Sequence, residues 1–346
     1  MSESSETRFG YDDASKARDI VCETLRGHGM NPDSVKDGII LGSGLGPFAE
    51  QHMEEDGTEI SFDEIFTQLG IPLLESKVSG HARELIISRL KNDPHRDRLV
   101  IAQSGREHPY EGISTKRATF WLRVMQLLGV ETLFNSNAGG IITPKTLPTV
   151  PSLMIVHSAR DYSEDNNPLV GPDIPEFGPR FPHNGNLFPE VDRKLVIWKA
   201  RELEIPISEG MLVRMPGPAY ESAETIRWLR GQLKQIWDEG FEDNDPNFMG
   251  RPIGIVGMSS TYEHEVAQHA SPIQNSAEKH PNRAFGRGRV HVSVSTNYGA
   301  GLGPKGPGAF PSHPEVKANA ALVEDYFGRL AHSTIAQWQI YARNPQ

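Results

Sequence analysis

An apolar run that ends in a glycine-rich loop constrains the fold of this chain more than any other segment. Residues 38–41 (GIIL) have the length of a buried strand and lead directly into residues 42–46 (GSGLG). The pattern predicts a loop at the carboxyl end of a strand, where α/β proteins bind ligands. Its backbone N–H groups and the Ser43 hydroxyl can cradle an anion, and a tight strand-to-helix turn is the alternative. Pro47 stands where a dinucleotide-binding loop requires glycine, and Leu41 stands where the nucleophile elbow of a hydrolase requires it. No Walker lysine follows the loop, so the sequence matches none of these three motifs.

Strand-like and helix-like segments alternate along the rest of the chain. A helix is predicted from about residue 13 to 27, a short one is capped by Ser61, and another begins at Ser114 or Thr115 and ends at Gly129. This alternation predicts an α/β fold around a largely parallel or mixed sheet. Further strands are expected at 85–90, 99–103, 132–135, 153–157, 211–215, 253–258 and 290–296, and further helices near 223–233, 262–270 and 314–338.

Composition limits the partners and the compartment. The chain has 35 Lys and Arg against 45 Asp and Glu, a formal charge of −10, so nucleic acid is not an expected partner. Cys22 is the single cysteine, which excludes an internal disulfide and favours a reducing compartment. The first residues lack a secretory signal pattern, and residues 132–158 are too interrupted by polar residues and prolines to span a membrane. A cytoplasmic protein is therefore expected.

The domain organisation is expected to be simple. A length of 346 residues allows one or two domains, and we expect a single domain over residues 11–346 after a disordered tail at residues 1–10. Polar stretches near 240–251 and 271–288 predict surface insertions, and the glycine- and proline-rich residues 165–189 and 299–311 predict long ordered loops.

One polar loop carries the densest set of chemically useful side chains. Residues 105–112 (GREHPYEG) follow a predicted strand and combine a guanidinium, an imidazole, a phenol and carboxylates. Arg106 can bind an anion with two hydrogen bonds, and His108 is an adjustable donor. A solvated surface loop is the alternative. Residues 217–221, 257–260 and 295–297 also fall at predicted strand ends, where loops converge on one crevice.

No metal site is expected. His264 and His269 are five residues apart, whereas the H-E-x-x-H motif needs four, and Phe248 occupies the glycine position of a calcium-loop pattern. The remaining histidines without a partner at ligand spacing are expected to be surface or core residues: His157, His183, His280 and His291.

Nine short motifs occur in an order that resembles the trimeric purine nucleoside phosphorylases. They begin with LGSGLG (41–46), SGHA (79–82) and the loop 105–112, and the resemblance extends from about residue 38 to 336. It implies a single α/β domain of nucleoside phosphorylase type, with a central mixed sheet flanked by helices. It also implies a homotrimer that needs no metal or organic cofactor and cleaves a purine nucleoside with inorganic phosphate, yielding free base and (deoxy)ribose 1-phosphate. The later motifs are NAGG (137–140), NPLVGP (167–172), FGPRFP (177–182), GPAYE (217–221), VGMS (256–259) and STN (295–297).

The resemblance assigns site residues by their place in these motifs. It implies that hydrogen-bond donors for phosphate come from Ser43, His81, Arg106, His108 and Ser259, with the backbone N–H of Asn137. It implies a ribose site at Tyr110, Met258 and His313, and a purine site at Tyr220, Glu221 and Asn297. Of these residues, it implies that His108, Glu221 and Asn297 are catalytic. In the family an aromatic ring from a neighbouring subunit covers the ribose, and a one-residue gap would give Tyr162 that role. An ordinary loop tyrosine is the alternative.

Four departures from the family pattern affect the expected pocket. Ser136 and Asn137 stand where an asparagine and a small residue are usual, Tyr220 replaces a common phenylalanine, Tyr298 and Gly299 follow Asn297, and the two insertions lengthen the chain. These positions leave the shape of the phosphate, ribose and base pockets open.

The residue at position 297 separates the candidate functions. An amide can donate to a 6-oxo group and accept from N7–H, so Asn297 favours guanosine, inosine or xanthosine as substrate. An aspartate there would instead suit a methylthioadenosine phosphorylase, which is the alternative enzyme. A non-catalytic nucleoside-binding homologue is the alternative of another class.

Overall fold

The computed structural model describes residues 8–74, 82–93, 97–143, 149–163, 167–242, 253–271, 284–303 and 310–343, and the side chains of 239–242 are not described. Within these residues, nine strands form one mixed sheet. The strands are β1 (Val35–Leu41), β2 (Thr58–Ser61), β3 (Glu84–Ser88), β4 (Leu99–Ser104), β5 (Thr132–Ile141), β6 (Ser152–Asp161), β7 (Ile207–Arg214), β8 (Gly254–Gly257) and β9 (Gly288–Tyr298).

The sheet closes on itself along one side. Its strand order is β2-β3-β4-β1-β5-β8-β7-β6-β9, and β5 also pairs with β9, so β5, β8, β7, β6 and β9 form a ring. Strands β4 and β5 run parallel to β1, and β9 runs parallel to β5. The carboxyl ends of these parallel strands therefore lie at one edge. Strand β8 is antiparallel to β5 and brings its own carboxyl end beside Gly139 and Gly140.

Helices cover both faces of the sheet. Alternate residues of a strand face opposite sides, and accordingly Ile40 and Leu133 belong to one apolar cluster while Ile39 and Phe134 belong to another. The helices are α1 (Tyr11–Gly27), α2 (Phe48–His52), α3 (Phe62–Gln68), α4 (Thr115–Ala118), α5 (Phe120–Leu128), α6 (Glu190–Glu202), α7 (Ala223–Glu242), α8 (Thr261–Ala270), α9 (His313–Leu322) and α10 (Glu324–Arg343). Helices α1, α3, α5 and α8 pack in the first cluster, and α6 and α10 pack in the second. None of the helices that the structure describes combines the length and hydropathy needed to cross a bilayer.

The local signals in the sequence set several of the observed boundaries. The Ser61 and Ser114 hydroxyls accept the backbone N–H groups of Asp63 and Arg117, both at 3.2 Å, which confirms the predicted helix starts. Gly129 ends α5 with a left-handed φ of 81°, as the sequence predicts. The helix expected after Ser114 is, however, divided into α4 and α5 at Thr119.

Several elements differ from the sequence-based expectations. Helix α6 was not predicted, because its buried face includes Asp192, Arg193 and Lys199 beside the apolar Val196 and Ala200. The short elements α2 and β2 were not predicted either, and the helix expected over 314–338 is two helices separated at residue 323.

Parts of the predicted domain organisation fall outside the described residues. Residues 1–7 of the expected tail are not described, whereas Phe9 packs edge-on against Phe120, with ring centroids 5.4 Å apart, and so belongs to the folded part. The insertions near 240–251 and 271–288 also lie largely outside the described residues and stay predictions.

Candidate active site

A cavity of about 290 Å³ opens at the edge where the carboxyl ends of β1, β4, β5, β8 and β9 meet. The strand register brings these strand ends together. Leu41 pairs with Ser104, so the loops after β1 and β4 are neighbours, and Gly140 pairs with Asn297, so the ends of β5 and β9 are neighbours. The loop after β7 and the start of α9 complete the walls. Ten of the side chains singled out in the sequence line this cavity: Ser43, Arg106, His108, Tyr110, Tyr220, Glu221, Met258, Ser259, Asn297 and His313.

The glycine loop is shaped by close backbone contacts. A Cβ on Gly42 would lie 2.9 Å from the Cα of Asn137, and Gly44 adopts a φ of 81° against Ala320. The Ser136 hydroxyl accepts the Gly42 N–H at 3.0 Å and donates to the Ile40 carbonyl at 2.7 Å, which fastens β5 to the start of the loop. The loop is therefore a tight turn that also lines the cavity, and its role as an anion cradle stays a prediction.

Arg106 is held in a fixed orientation on the wall of the cavity. Its side chain is buried, its Nε donates to Glu263 Oε1 at 2.7 Å, and its Nη2 donates to Asn135 Oδ1 at 2.6 Å. The Ser136 carbonyl also accepts from Nη2. A guanidinium restrained in this way is preorganised for an anion, because little side-chain entropy remains to be lost on binding. Neither Glu263 nor Asn135 was identified from the sequence.

His108 and Tyr110 form a stacked pair on the same loop. Their ring centroids are 4.7 Å apart with an interplanar angle of 11°. Glu111 accepts the backbone N–H of His108 at 2.6 Å and lies 3.4 Å from its Nδ1, so it orients the imidazole. Burial, and then the nearby Glu111, raise the pKa of Tyr110, which keeps the phenol protonated as a hydrogen-bond donor.

The opposite end of the cavity is built around Glu221 and Asn297. Glu221 Oε1 is buried and has no hydrogen-bond partner among the described residues, and burial raises the pKa of this carboxyl. Asn297 is 5% exposed, donates from Nδ2 to the Tyr298 carbonyl at 2.9 Å and accepts from the Thr296 hydroxyl at 3.1 Å. Tyr220 is 41% exposed at the mouth. An open carboxylate beside an amide can recognise a flat ring that carries N–H and carbonyl groups.

Asn137 directs its side chain into a buried network. Its Oδ1 accepts from His291 Nε2 at 2.7 Å and from the Ser293 hydroxyl at 2.6 Å, while its Nδ2 donates to the Ala138 carbonyl at 3.1 Å. His291 is a fully buried core histidine, in agreement with one of the two sequence alternatives. Its pairing with His264 was not predicted, because the partners come from β9 and α8.

Two described residues with predicted roles, Asn137 and Tyr162, are not among those that line the cavity, and a third residue cannot be placed relative to it. His81 lies outside the described residues. Tyr162 packs edge-on against Trp228, with ring centroids 5.1 Å apart, and lies under the guanidinium of Arg160. Its predicted role across a subunit interface stays a prediction. Within the described ranges, no three His, Cys, Asp or Glu side chains are grouped so that they could hold a metal ion.

Comparison with known proteins identifies the family. The model of the phosphorylase superfamily matches residues 36–274. Purine nucleoside phosphorylase 1 of Bacillus subtilis (strain 168) is 32% identical over 308 residues, which cover 89% of this chain and 94% of the relative. A crystal structure of Schistosoma mansoni purine nucleoside phosphorylase in complex with adenosine has a TM-score of 0.71 and 26% identity, and the match covers 95% of this chain and 98% of that one. A crystal structure of Schistosoma mansoni purine nucleoside phosphorylase in complex with inosine has a TM-score of 0.70 and 26% identity, and the match covers 95% of this chain and 97% of that one.

The chain therefore belongs to the phosphorylase superfamily and, within it, to the purine nucleoside phosphorylases. This finding confirms the resemblance seen in the nine motifs, and the α/β fold with a mixed central sheet is confirmed with it.

Proposed function

We propose that this enzyme is a pentosyltransferase that cleaves 6-oxopurine nucleosides with inorganic phosphate. The substrates are guanosine, inosine or xanthosine and their 2′-deoxy forms, and the products are the free purine and (deoxy)ribose 1-phosphate. The observation that carries the proposal is the arrangement of one cavity, with anion donors around Arg106 at one end and the open Glu221 carboxylate with Asn297 at the other.

Among the described residues, the phosphate end of the cavity wall supplies hydrogen-bond donors, and Glu221 is the one carboxylate that lines the cavity. Ser43, Arg106, His108 and Ser259 line this part of the cavity, and the backbone of Asn137 lies against the glycine loop. We assign His81 to the same site from its motif. Phosphate bound here would attack C1′ of the sugar as the nucleophile, so its charge also stabilises the positive charge that develops on the ribose.

The base end stabilises the leaving purine. As the C1′–N9 bond breaks, electrons move onto the base, and a new C1′–O bond forms to phosphate. The Asn297 amide donates to the purine and reduces the cost of this charge, while Glu221 accepts from N1–H of a 6-oxopurine. Adenine has an acceptor at N1, so an ionised Glu221 disfavours it. His108, Glu221 and Asn297 are therefore the residues to which we assign catalysis.

The ribose lies between these ends. We assign Tyr110, Met258 and His313 to the sugar from their places in the motifs, and all three line the same cavity. A Cβ on Gly217 would lie 2.6 Å from Met258 Sδ and 3.1 Å from Tyr110 Cδ1, so the glycine lets the loop after β7 approach these side chains.

We further propose a homotrimer in which Tyr162 of one subunit covers the ribose of the next. The reaction fits purine salvage in the cytoplasm and uses neither a metal nor an organic cofactor, with phosphate acting as a substrate. Nucleic acid and membranes are not partners in this proposal, in keeping with the net charge of −10.

A substrate panel tests the proposal. The purified protein is incubated with inosine, adenosine or methylthioadenosine, each with and without inorganic phosphate, and the free bases are quantified by chromatography. We expect hypoxanthine only when inosine and phosphate are both present. Preferred release of adenine from methylthioadenosine would identify the alternative enzyme. Binding of inosine without release of base under any condition would identify a non-catalytic homologue.

A further inference from the structure

A pair of buried histidines lies directly beneath the phosphate end of the cavity. His264 on α8 and His291 on β9 are both 0% exposed, and His264 Nε2 lies 2.7 Å from His291 Nδ1. Neither residue lines the cavity, and neither belongs to the motifs that define the site. The pair is therefore a polar feature in the core that the proposed reaction does not use directly.

The hydrogen bonds fix the tautomer of each ring. Asn137 Nδ2 donates to the Ala138 carbonyl, so its Oδ1 is the atom that faces His291. His291 must therefore donate from Nε2 and accept at Nδ1. His264 in turn donates from Nε2, which leaves its Nδ1 as a buried acceptor with no partner among the described residues.

The buried environment favours the neutral form of both rings. Burial is the main cause that lowers the pKa of His264 and His291 well below the usual range. Next to burial, the His291 ring and then Arg289 and Arg106 lower the pKa of His264, and Arg106 lowers that of His291. A neutral pair gives directional hydrogen bonds without placing a second positive charge behind the guanidinium that binds the anion.

The pair contacts two groups of the phosphate end. His291 holds the carboxamide of Asn137, whose backbone lies 2.9 Å from where a Cβ on Gly42 would stand. His264 Nε2 also lies 3.4 Å from Asn135 Nδ2, and because both atoms are donors in this tautomer the contact is steric packing; Asn135 Oδ1 accepts from Arg106 at 2.6 Å. Gly257 leaves room for the Asn137 side chain, since a Cβ there would lie 2.8 Å from Asn137 Nδ2. The histidines thus restrain the strand on which the glycine loop rests.

We propose that His264 and His291 are positioning residues for inorganic phosphate, which hold the Asn137 segment of β5 and the Asn135–Arg106 contact in their binding geometry. The inference rests on the proposed function, because it takes inorganic phosphate to be the ligand at this end. Neither histidine touches the substrate. Their effect reaches it only through Asn137 and Arg106.

The test uses a disruptive, a conservative and a matched control variant of the full chain. His291→Phe removes both hydrogen bonds, whereas His291→Gln keeps a donor and an acceptor. His269→Phe is the control, because His269 is a buried histidine on the same helix as His264 and hydrogen-bonds to Arg123 at 2.8 Å and the Pro179 carbonyl at 2.9 Å. Thermal unfolding and circular dichroism establish which variants are folded.

Phosphate affinity is measured by calorimetric titration with inorganic phosphate alone, and KM is measured for phosphate and for inosine. We expect His291→Phe to weaken phosphate binding and raise its KM roughly three- to tenfold, the equivalent of one hydrogen bond. The KM for inosine should stay within about twofold, His291→Gln should recover most of the phosphate affinity, and His269→Phe should change stability alone. Any of three results would overturn the proposal. They are unchanged phosphate binding in folded His291→Phe, an equal loss of affinity for phosphate and inosine in that variant, and no recovery of phosphate affinity in His291→Gln.

Imidazole ¹⁵N spectra of the wild-type protein provide a readout that does not depend on a variant folding. We expect both His264 and His291 as Nε2–H tautomers, and a shift of His291 but not His269 when inorganic phosphate is added. Other tautomers or an unresponsive His291 would contradict the assignment. If the wild type binds phosphate but does not cleave inosine, the proposed function is refuted. The calorimetric phosphate titrations of the variants then still test the role of the histidine pair. A wild type that binds no phosphate would refute both.

Discussion

Replacing Arg106 by alanine perturbs the phosphate end of the cavity most directly. The substitution removes a charged donor, and a hydrogen bond to a charged group contributes about 1.5–3 kcal/mol. Converted to rates, this loss lowers kcat/KM for phosphate by roughly ten- to 150-fold. We expect the KM for inosine to change much less, because Glu221 and Asn297 line the other end.

The same substitution also affects folding. Arg106 Nε is bonded to Glu263 Oε1 at 2.7 Å, and the two side chains are 4% and 8% exposed. Breaking a buried ion pair by removing one partner destabilises a protein by about 3–5 kcal/mol, because the other charge stays buried. Arg106→Ala should therefore lower the midpoint of thermal unfolding as well as phosphate use.

A matched control separates the two effects. Arg98 forms a comparable buried pair with Asp37, with Nη2–Oδ1 at 2.9 Å and Nε–Oδ2 at 3.1 Å, and it does not line the cavity. Initial rates for both alanine variants are measured over a range of phosphate concentrations below their unfolding temperatures. Arg98→Ala should lose stability and keep its phosphate KM. A folded Arg106→Ala enzyme with wild-type phosphate kinetics, or an equal loss in Arg98→Ala, would refute the reasoning.

Three further predictions concern the base and the ribose. Asn297→Asp should shift kcat/KM from inosine toward adenosine because a donor becomes an acceptor, and a wild type that cleaves both equally would contradict this. Since burial raises the pKa of Glu221, lowering the pH should protonate it and let it donate to N1 of adenine, so the adenosine-to-inosine ratio of kcat/KM should rise toward acid. That dependence should disappear in Glu221→Gln, and a pH-independent wild-type ratio would count against the assignment. Tyr162→Ala should raise the KM for inosine and leave that for phosphate unchanged, and a monomer isolated by size-exclusion chromatography should be nearly inactive. Wild-type nucleoside kinetics in that variant or a fully active monomer would show that Tyr162 does not cover a neighbouring site.

The parts of the fold that were predictable from sequence depend on local chemistry. The β1 strand and its glycine loop follow from an apolar run and from backbone space that only glycine leaves, and Ser114 and Gly129 mark helix ends by their own hydrogen bonding and φ. Helix α6 was missed because its buried face is partly polar. Asp192 accepts from the Arg289 N–H at 3.0 Å and the Trp338 Nε1–H at 3.3 Å, and these tertiary partners replace the apolar stripe that a sequence pattern detects.

The residues of the candidate site likewise include some that were predictable from the sequence and some that were not. The order of the motifs identified ten side chains that line the cavity, although the residues come from loops far apart in the chain. The supporting residues were not identifiable. Glu263 and Asn135 orient Arg106 across 157 and 29 residues, and the His264–His291 contact joins positions 27 apart, so no local spacing indicates them.

The central claim is that the glycosidic bond is cleaved by phosphate, and ³¹P NMR of a reaction with inosine and inorganic phosphate tests it most directly. We predict that the inorganic phosphate signal falls while a ribose 1-phosphate signal grows in equal amount to the hypoxanthine released. Guanosine should give the same sugar phosphate together with guanine. Release of hypoxanthine with an unchanged phosphate signal would mean hydrolysis, and no release of base at all would contradict catalysis by this protein.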